Sequence, residues 1–459
     1  MCGAYAGIVM EPLTPNVGNV IPFPHVDRSP QPAPPTPKFD RISERAAKLA
    51  KLSKYPCEFD FEIYKRLETR FGANQPRGGV VFQSPFKLVN SHNTCQQCLY
   101  AFEVDTYGRG CIHNCVYCYA KAELTVHAYW NRPFPMPVDI TEIWKTFYYA
   151  LETDKKSRWR EMIEMRVPLR IGSMSDSFMV IDKKYKVTQE LLKILSYYNY
   201  PYIIFTRSDL IAQDEYMQLL RDDLCSVQMS IASTNDEMNR QIEPGAPSAK
   251  RRLKALQTLV RGGFWTTVRL NPFFPIYPDG YFTDPDFDRK NMPEPFNYSS
   301  FDMVDEIADH GVPAILAGIV RLSSFSLNQI EKASGRNLRE FYRDNTKKTA
   351  IFTEKKSRDF HYSDAEIRAY YERIHAKCMQ RGIQFTTCYI GNGEKHFWKD
   401  QDLWSNKKDC CNAIDRVEKF ANTKTARDVS WEVRMRHTNI KCLKPYDKDT
   451  LHRPLNRRD

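Results

Sequence analysis

Three cysteines within eight residues constrain this chain more than any other feature in it. They stand in Gly-Arg-Gly-Cys-Ile-His-Asn-Cys-Val-Tyr-Cys-Tyr, residues 108–119, with the spacing C-x3-C-x2-C. Thiolates are soft ligands that suit iron–sulfur clusters. Three of them on one short loop hold three irons of a cubane and leave the fourth iron without a protein ligand. That open iron can chelate the amino and carboxylate groups of a small ligand. The competing reading is a structural zinc site with His113 as the fourth ligand. Closed zinc sites more often pair two C-x2-C units. A loop directly after a predicted first strand fits the open cubane better.

Composition agrees with metal ligation. The chain has 459 residues and 13 cysteines, an odd number without the dense framework of a small secreted domain. Such cysteines stay reduced or bind metal. No apolar run approaches the ~20 residues that span a bilayer. Residues 1–15 lack a basic region followed by an apolar stretch, so the expectation is an intracellular, cytoplasmic protein with no secretory signal and no membrane partner. The formal net charge of +11 fits attraction to a polyanion such as nucleic acid, and fits simple solubility equally well.

Residues 1–40 read as a proline-rich arm, with Pro30, Pro32, Pro34, Pro35 and Pro37 near its end. An N-terminal helical or irregular segment follows over 41–98. Its first part, Arg41–Lys54, has Ile42, Ala46, Leu49 and Ala50 on one face and a basic remainder that is solvated or meets phosphate. From 99 to 330 short apolar runs alternate with helical patterns. The predicted strands are Phe102–Tyr107, Leu169–Gly172, Tyr202–Thr206, Ser226–Ile231, Thr266–Leu270 and Ala314–Val320. Gln384–Ile390 is a seventh strand or a loop. Predicted helices include Thr188–Tyr197, Asp214–Leu220, Lys250–Val260 and Phe301–Ala308. Strands separated by helices of this length indicate an α/β fold with a parallel sheet, a partial or full (β/α) barrel with its site at the C-terminal strand ends. Residues 331–459 read as a basic, partly helical C-terminal extension. Its last part, Trp431–Asp459, carries eight Lys/Arg against four Asp/Glu, a phosphate-following strip or a solvated tail. Asn271-Pro-Phe-Phe-Pro-Ile-Tyr-Pro is a stiff apolar loop that either stacks on a base or covers the barrel mouth.

The cysteine loop resembles that of the radical S-adenosylmethionine (SAM) superfamily. Residues 100–280 resemble its spore photoproduct lyase and DNA repair photolyase-like branch. The likeness rests on Tyr-Gly-Arg-Gly-Cys, Cys-Val-Tyr-Cys-Tyr-Ala, Gly-Ser-Met-Ser-Asp-Ser (172–177), Phe-Thr-Arg-Ser-Asp-Leu-Ile (205–211), Met-Ser-Ile-Ala-Ser (229–233) and Ile-Glu-Pro-Gly-Ala-Pro-Ser (242–248). The resemblance implies a [4Fe–4S] cluster on Cys111, Cys115 and Cys118. It also implies SAM on the open iron, cleaved to methionine and a 5′-deoxyadenosyl radical, and an electron donor such as flavodoxin or ferredoxin. Gly172, Ser173 and Ser175 would approach the SAM amino group, and Arg207 its carboxylate. Ser230 would contact the ribose, Tyr117 would lie near the adenine or simply pack, and Glu243 would bind SAM or organise its loop.

The named lyase repairs a thymine dimer with a hydrogen-donor cysteine between the cluster loop and the second strand. This chain has no cysteine between Cys118 and Cys225. Cys225 is then either a substitute donor or a packing residue. A radical isomerisation that needs no outside donor fits better. Relatives of that kind rearrange an amino-acid adduct on the thymine methyl group in viral DNA, and a base in a duplex would have to be flipped out to be reached. The leading expectation is therefore a radical SAM enzyme that modifies a thymine-type base in DNA. Alternatives are a photoproduct-type repair lyase, a radical SAM enzyme on a peptide or small molecule, and a non-catalytic metal-stabilised nucleic-acid-binding protein. Cys95 and Cys98 form a C-x2-C that would converge with Cys410 and Cys411 on a second metal, or the four are unrelated thiols.

Overall fold

The structure is a computed structural model that describes residues 86–88, 99–100, 102–108, 110–126, 135–138, 140–342, 347–350, 356–388, 400–421 and 423. The proline-rich arm, the helix expected at 41–54, Cys95, Cys98 and the basic tail past 431 lie outside the described residues.

Among the described residues thirteen strands appear in chain order. They are β1 (Phe86–Leu88), β2 (Phe102–Val104), β3 (Tyr107–Gly108), β4 (Met136–Pro137), β5 (Leu169–Ile171), β6 (Tyr202–Thr206) and β7 (Cys225–Ser230). The rest are β8 (Trp265–Phe273), β9 (Ala314–Ile319), β10 (Leu322–Ser323), β11 (Lys347–Ala350), β12 (Lys356–Phe360) and β13 (Gln384–Thr387). Eight of them form one sheet in the order β1-β2-β5-β6-β7-β8-β9-β13. β1 lies antiparallel to β2, and the other seven strands are parallel. Among these seven, each strand neighbours its successor within the sheet, with helices such as Val187–Tyr197 and Ala249–Arg261 in the crossovers. That is the winding of a β/α barrel. β1 and β13 are its two edges, so the sheet stays open as a partial barrel.

The strands form where β-branched and aromatic residues run together between turn residues. β6 (Tyr-Ile-Ile-Phe-Thr) and β7 are buried along their whole length, as expected of parallel strands covered on both faces. The six strands predicted between 102 and 320 all appear, within a few residues at their ends.

Past residue 330 the structure differs from the sequence reading. The helix Asp364–Gln380 delivers β13, which pairs with β9, so the sheet continues beyond the boundary drawn at 330. Residues 400–421, read as part of a polar extension, are not a separate body either. Trp404, Cys410, Cys411, Ala413, Val417 and Phe420 bury into one apolar cluster with Leu99, Tyr100, Ile203 and Phe205. Hydrogen bonds from Trp404 Nε1 to Thr387 Oγ1 (2.8 Å) and from Thr386 Oγ1 to the Cys410 carbonyl (2.6 Å) fasten the segment to β13. The polar composition hid this because only six of the segment's residues are buried apolar side chains, and Asp400, Asp409 and Asn412 are buried beside them.

Candidate active site

The cysteine loop runs between β3 and the helix Tyr119–Val126. Two short turns shape it, with Asn114 N–H donating to the Cys111 carbonyl (3.1 Å) and Cys118 N–H to the Cys115 carbonyl (3.2 Å). The Ile-Glu-Pro-Gly segment holds it from one side. Val116 N–H donates to the Ile242 carbonyl at 2.9 Å, and Gly245 N–H to the His113 carbonyl at 3.0 Å. A Cβ on Gly245 would stand 1.9 Å from the Ile112 carbonyl oxygen. This glycine is therefore required by close backbone approach, not by a turn. Gly245→Ala is expected to push the cysteine loop away and cost about 1–3 kcal/mol, measured by denaturant unfolding, with reconstituted iron content falling in parallel.

His113 does not act as the fourth ligand of a zinc site here. Its Nδ1 lies 3.1 Å from the Gly245 carbonyl and its Nε2 3.0 Å from Asp176 Oδ2, so both ring nitrogens are engaged in bracing. Among the described residues no three His, Cys, Asp or Glu side chains form a group that could hold a single metal ion. A cubane asks for a different arrangement, because each thiolate bonds a different iron. The three thiols fit that donor set. Burial pushes Cys111 up to about 12 and Cys115 well above the ordinary thiol range. A thiolate there needs a bound cation, which a cluster supplies.

Around the loop stand the polar residues singled out from sequence. Gly172 has φ +85°, and a Cβ on it would lie 2.5 Å from the Phe205 carbonyl, so glycine is needed for contact with β6. Asp105 accepts from the backbone N–H of Ser173 (2.8 Å) and Met174 (3.1 Å), which fixes this turn. The Ser173 hydroxyl is buried and meets no hydrogen-bond partner among the described residues. Ser175 instead donates its hydroxyl to the Tyr107 carbonyl. Ser230 closes β7, and its carbonyl accepts from Arg252 (3.0 Å).

Glu243 is the centre of a buried charge network. Its carboxylate pairs with Arg252 at 2.6 Å, both side chains being fully inaccessible. It also accepts from the Tyr117 hydroxyl and faces Arg207 Nε at 3.6 Å. Burial alone would raise the Glu243 carboxyl; Arg252, then Arg207, outweigh it and hold the group below the ordinary range. Arg207 also lies 5.6 Å over the Tyr117 ring, its backbone N–H donates to Asp176 (2.6 Å), and its side chain is 24% exposed. Its terminal nitrogens meet no acceptor among the described residues. This half-buried fork beside Cys115 and the unpartnered Ser173 hydroxyl are what an amino-acid ligand of the open iron would require. Tyr117 packs edge-on against Phe274 at 5.3 Å, so its ring belongs to the wall.

Sequence reasoning missed Asp105, Asp176 and the pairing role of Arg252. A lone Asp beside a strand gives no signal of its own, because its partners are backbone groups far away in sequence.

Cys225 does not converge on this site. Cys225 is the first residue of β7, at the strand end opposite Ser230, about 16 Å away at ~3.3 Å per residue. It is buried beside Tyr202, which also starts its strand. Such a thiol packs the base of the sheet and does not reach the cysteine loop. Cys410 and Cys411 are buried together, and their expected partners Cys95 and Cys98 fall outside the described residues.

Residues 106–284 match the Radical SAM superfamily family model. That stretch takes in the cysteine loop and the strands β5 to β8. It is 26% identical over 170 residues to an uncharacterized protein of Methanocaldococcus jannaschii, covering 36% of this chain and 58% of that protein. It is 25% identical over 232 residues to an uncharacterized protein of Acidianus two-tailed virus, covering 48% and 68% respectively. Among solved structures, a spore photoproduct lyase variant with bound SAM and dinucleoside spore photoproduct aligns at TM-score 0.47 and 15% identity, covering 73% of this chain and 95% of that one. The radical SAM methyltransferase TsrM of Kitasatospora setae aligns at TM-score 0.38 and 9% identity, covering 64% and 55%. Among the described residues no helix is long and apolar enough to cross a membrane.

Proposed function

We propose that this protein is a radical SAM enzyme that modifies a thymine-type base in DNA, rearranging an amino-acid substituent on the base. The observation that carries the radical chemistry is the clamped three-thiol loop beside the half-buried Arg207. When bound, a [4Fe–4S] cluster on Cys111, Cys115 and Cys118 and SAM on its open iron supply a 5′-deoxyadenosyl radical. The chain's own residues do the rest. Gly245 and His113 fix the loop, Arg207 takes the SAM carboxylate, and Ser173 is offered to the amino group. Glu243 holds Arg207 and Tyr117 in place. The thymine-type substrate is supported by the net charge of +11 and by the motifs shared with the lyase branch. Rearrangement, which consumes no outside hydrogen donor, is supported by the position of Cys225 at the far end of β7.

One observation favours the lyase reading instead. The Cys411 thiol meets Gln228 and Arg269 from the sheet, so residues 400–421 bring a thiol to the inner face of the barrel that Cys225 cannot supply. Anaerobic reconstitution, then dithionite and SAM, with thymidine-modified DNA present or omitted, separates these readings. The proposal expects 5′-deoxyadenosine that depends on DNA, and hydrogen returning to the product from the substrate itself. Solvent deuterium in the product, lost in Cys411→Ala, would favour the lyase. Cleavage of SAM with every thymidine derivative unchanged would remove the DNA substrate.

A further inference from the structure

The inner face of the sheet presents an arginine that lacks an acidic partner. In the register of β6, β7 and β8, Phe205 lies opposite Gln228, Gln228 opposite Thr267, and Arg269 two residues beyond Thr267. Phe205, Gln228 and Arg269 therefore share one face. The Arg269 guanidinium lies 4.6 Å from the Phe205 ring centre and donates to Gln228 Oε1 at 2.6 Å. Arg170, from β5, lies over the same ring at 4.5 Å, with Glu103 at 3.9 Å from its Nη1.

Residues 400–421 cover this face from the N-terminal ends of the strands. Arg416 lies over Trp265, the first residue of β8, and Lys419 N–H donates to the Asp223 carbonyl just before β7. Cys410 and Cys411 share one apolar cluster with Phe205. Arg269 pairs in register with Ser230, the last residue of β7. Phe205 and the two guanidiniums thus form a floor below the strand ends that carry the cysteine loop.

The Arg269 side chain is a cationic fork of N–H donors with no acceptor of its own. It is half-buried, faces a neutral amide and the Cys411 thiol, and makes no ion pair with a carboxylate among the described residues. Two guanidiniums over one ring repel each other, and a partly desolvated cation without a counter-charge is costly. An oxyanion between them would relieve both.

We infer that Arg269, with Arg170 beside it, binds an oxyanion of the substrate on the floor of the barrel. The planar fork suits a carboxylate, as in an amino-acid substituent, and a nucleotide phosphate. The identity of the base rests on the function proposed above; the anion site does not.

The test is equilibrium binding to the full, cluster-reconstituted chain with SAM, under anaerobic conditions. The probes are thymidine bearing glycine on its methyl group, the carboxamide of that compound, thymidine, thymidine 5′-phosphate, free glycine and inorganic phosphate. The acid should bind at least about tenfold more tightly than its carboxamide, or the phosphate than thymidine. The pair that differs identifies the source of the anion. Arg269→Gln should abolish that difference and leave SAM affinity unchanged, and Arg269→Lys should restore part of it. Should no thymidine probe bind while glycine or phosphate binds in an Arg269-dependent way, the anion site stands and the thymine reading fails. Equal binding within both pairs in the unaltered protein, or an oxyanion preference that survives Arg269→Gln, overturns the site. The unaltered-protein comparison keeps the test decisive even if the variant fails to fold.

Discussion

Replacing Cys111, Cys115 or Cys118 by alanine is expected to reduce 5′-deoxyadenosine formation from SAM to the uncatalysed background. Enzymes owe acceleration of a millionfold or more to their chemistry, and here the chemistry would belong to the cluster. Each thiolate bonds a different iron, so no remaining cysteine can substitute from the same loop. His113 cannot either, since Gly245 and Asp176 occupy both of its ring nitrogens. Iron content and the ultraviolet–visible cluster absorption after reconstitution should fall together with activity. Cys225→Ala is the matched control. It removes a buried thiol at the start of β7, away from the cysteine loop, and should leave SAM cleavage within about twofold. It should also cost only about 1 kcal/mol of stability, the scale of a small core deletion. Full SAM cleavage by any one of the three loop variants would remove the open-cubane assignment.

The strands were legible in the sequence for a simple reason. Parallel strands buried on both faces are short runs of Ile, Val, Phe and Leu, and runs such as Tyr-Ile-Ile-Phe-Thr have no helical period. The cysteine loop was legible because metal ligation demands fixed spacing of one residue type. The charge network was only half legible. Glu243 stood in a noticeable motif, yet nothing in that motif says that it pairs with Arg252, or that Tyr117, 126 positions away, closes the same carboxylate. Of the two readings of Cys225, substitute donor or packing residue, the second holds, because a cysteine that starts a parallel strand lies at the end away from the site. The place of residues 400–421 was illegible for a deeper reason. Their apolar residues are few and irregularly spaced, and their burial depends on a concave sheet face that only the assembled fold creates.

That same assembled network sets the second large effect. Glu243→Gln keeps the shape of the side chain and removes its charge, leaving the Arg252 and Arg207 guanidiniums with no carboxylate partner among the described residues. Breaking a buried pair by removing one partner typically costs about 3–5 kcal/mol. The variant should lose about that much in denaturant unfolding. Its affinity for SAM should fall as well, because Arg207 loses the group that orients it. The pH dependence follows in sign. The folded-state pKa of Glu243 lies below its ordinary value of about 4. Its stabilisation is thus fully present above that value and is lost as pH falls through the lower, folded pKa. Asp176 follows the same sign: burial would raise it, but His113 and backbone N–H donors hold it below the ordinary range. Glu243→Gln should therefore unfold less steeply than the unaltered protein as pH drops from about 5 to 2. A double replacement, Glu243→Leu with Arg252→Met, separates stability from function. Removing both charges of a buried pair is often close to neutral, so much of the stability should return. SAM affinity should not, because Arg207 would still lack its carboxylate. Recovery of both would mean that Glu243 serves the fold alone and has no part in positioning Arg207.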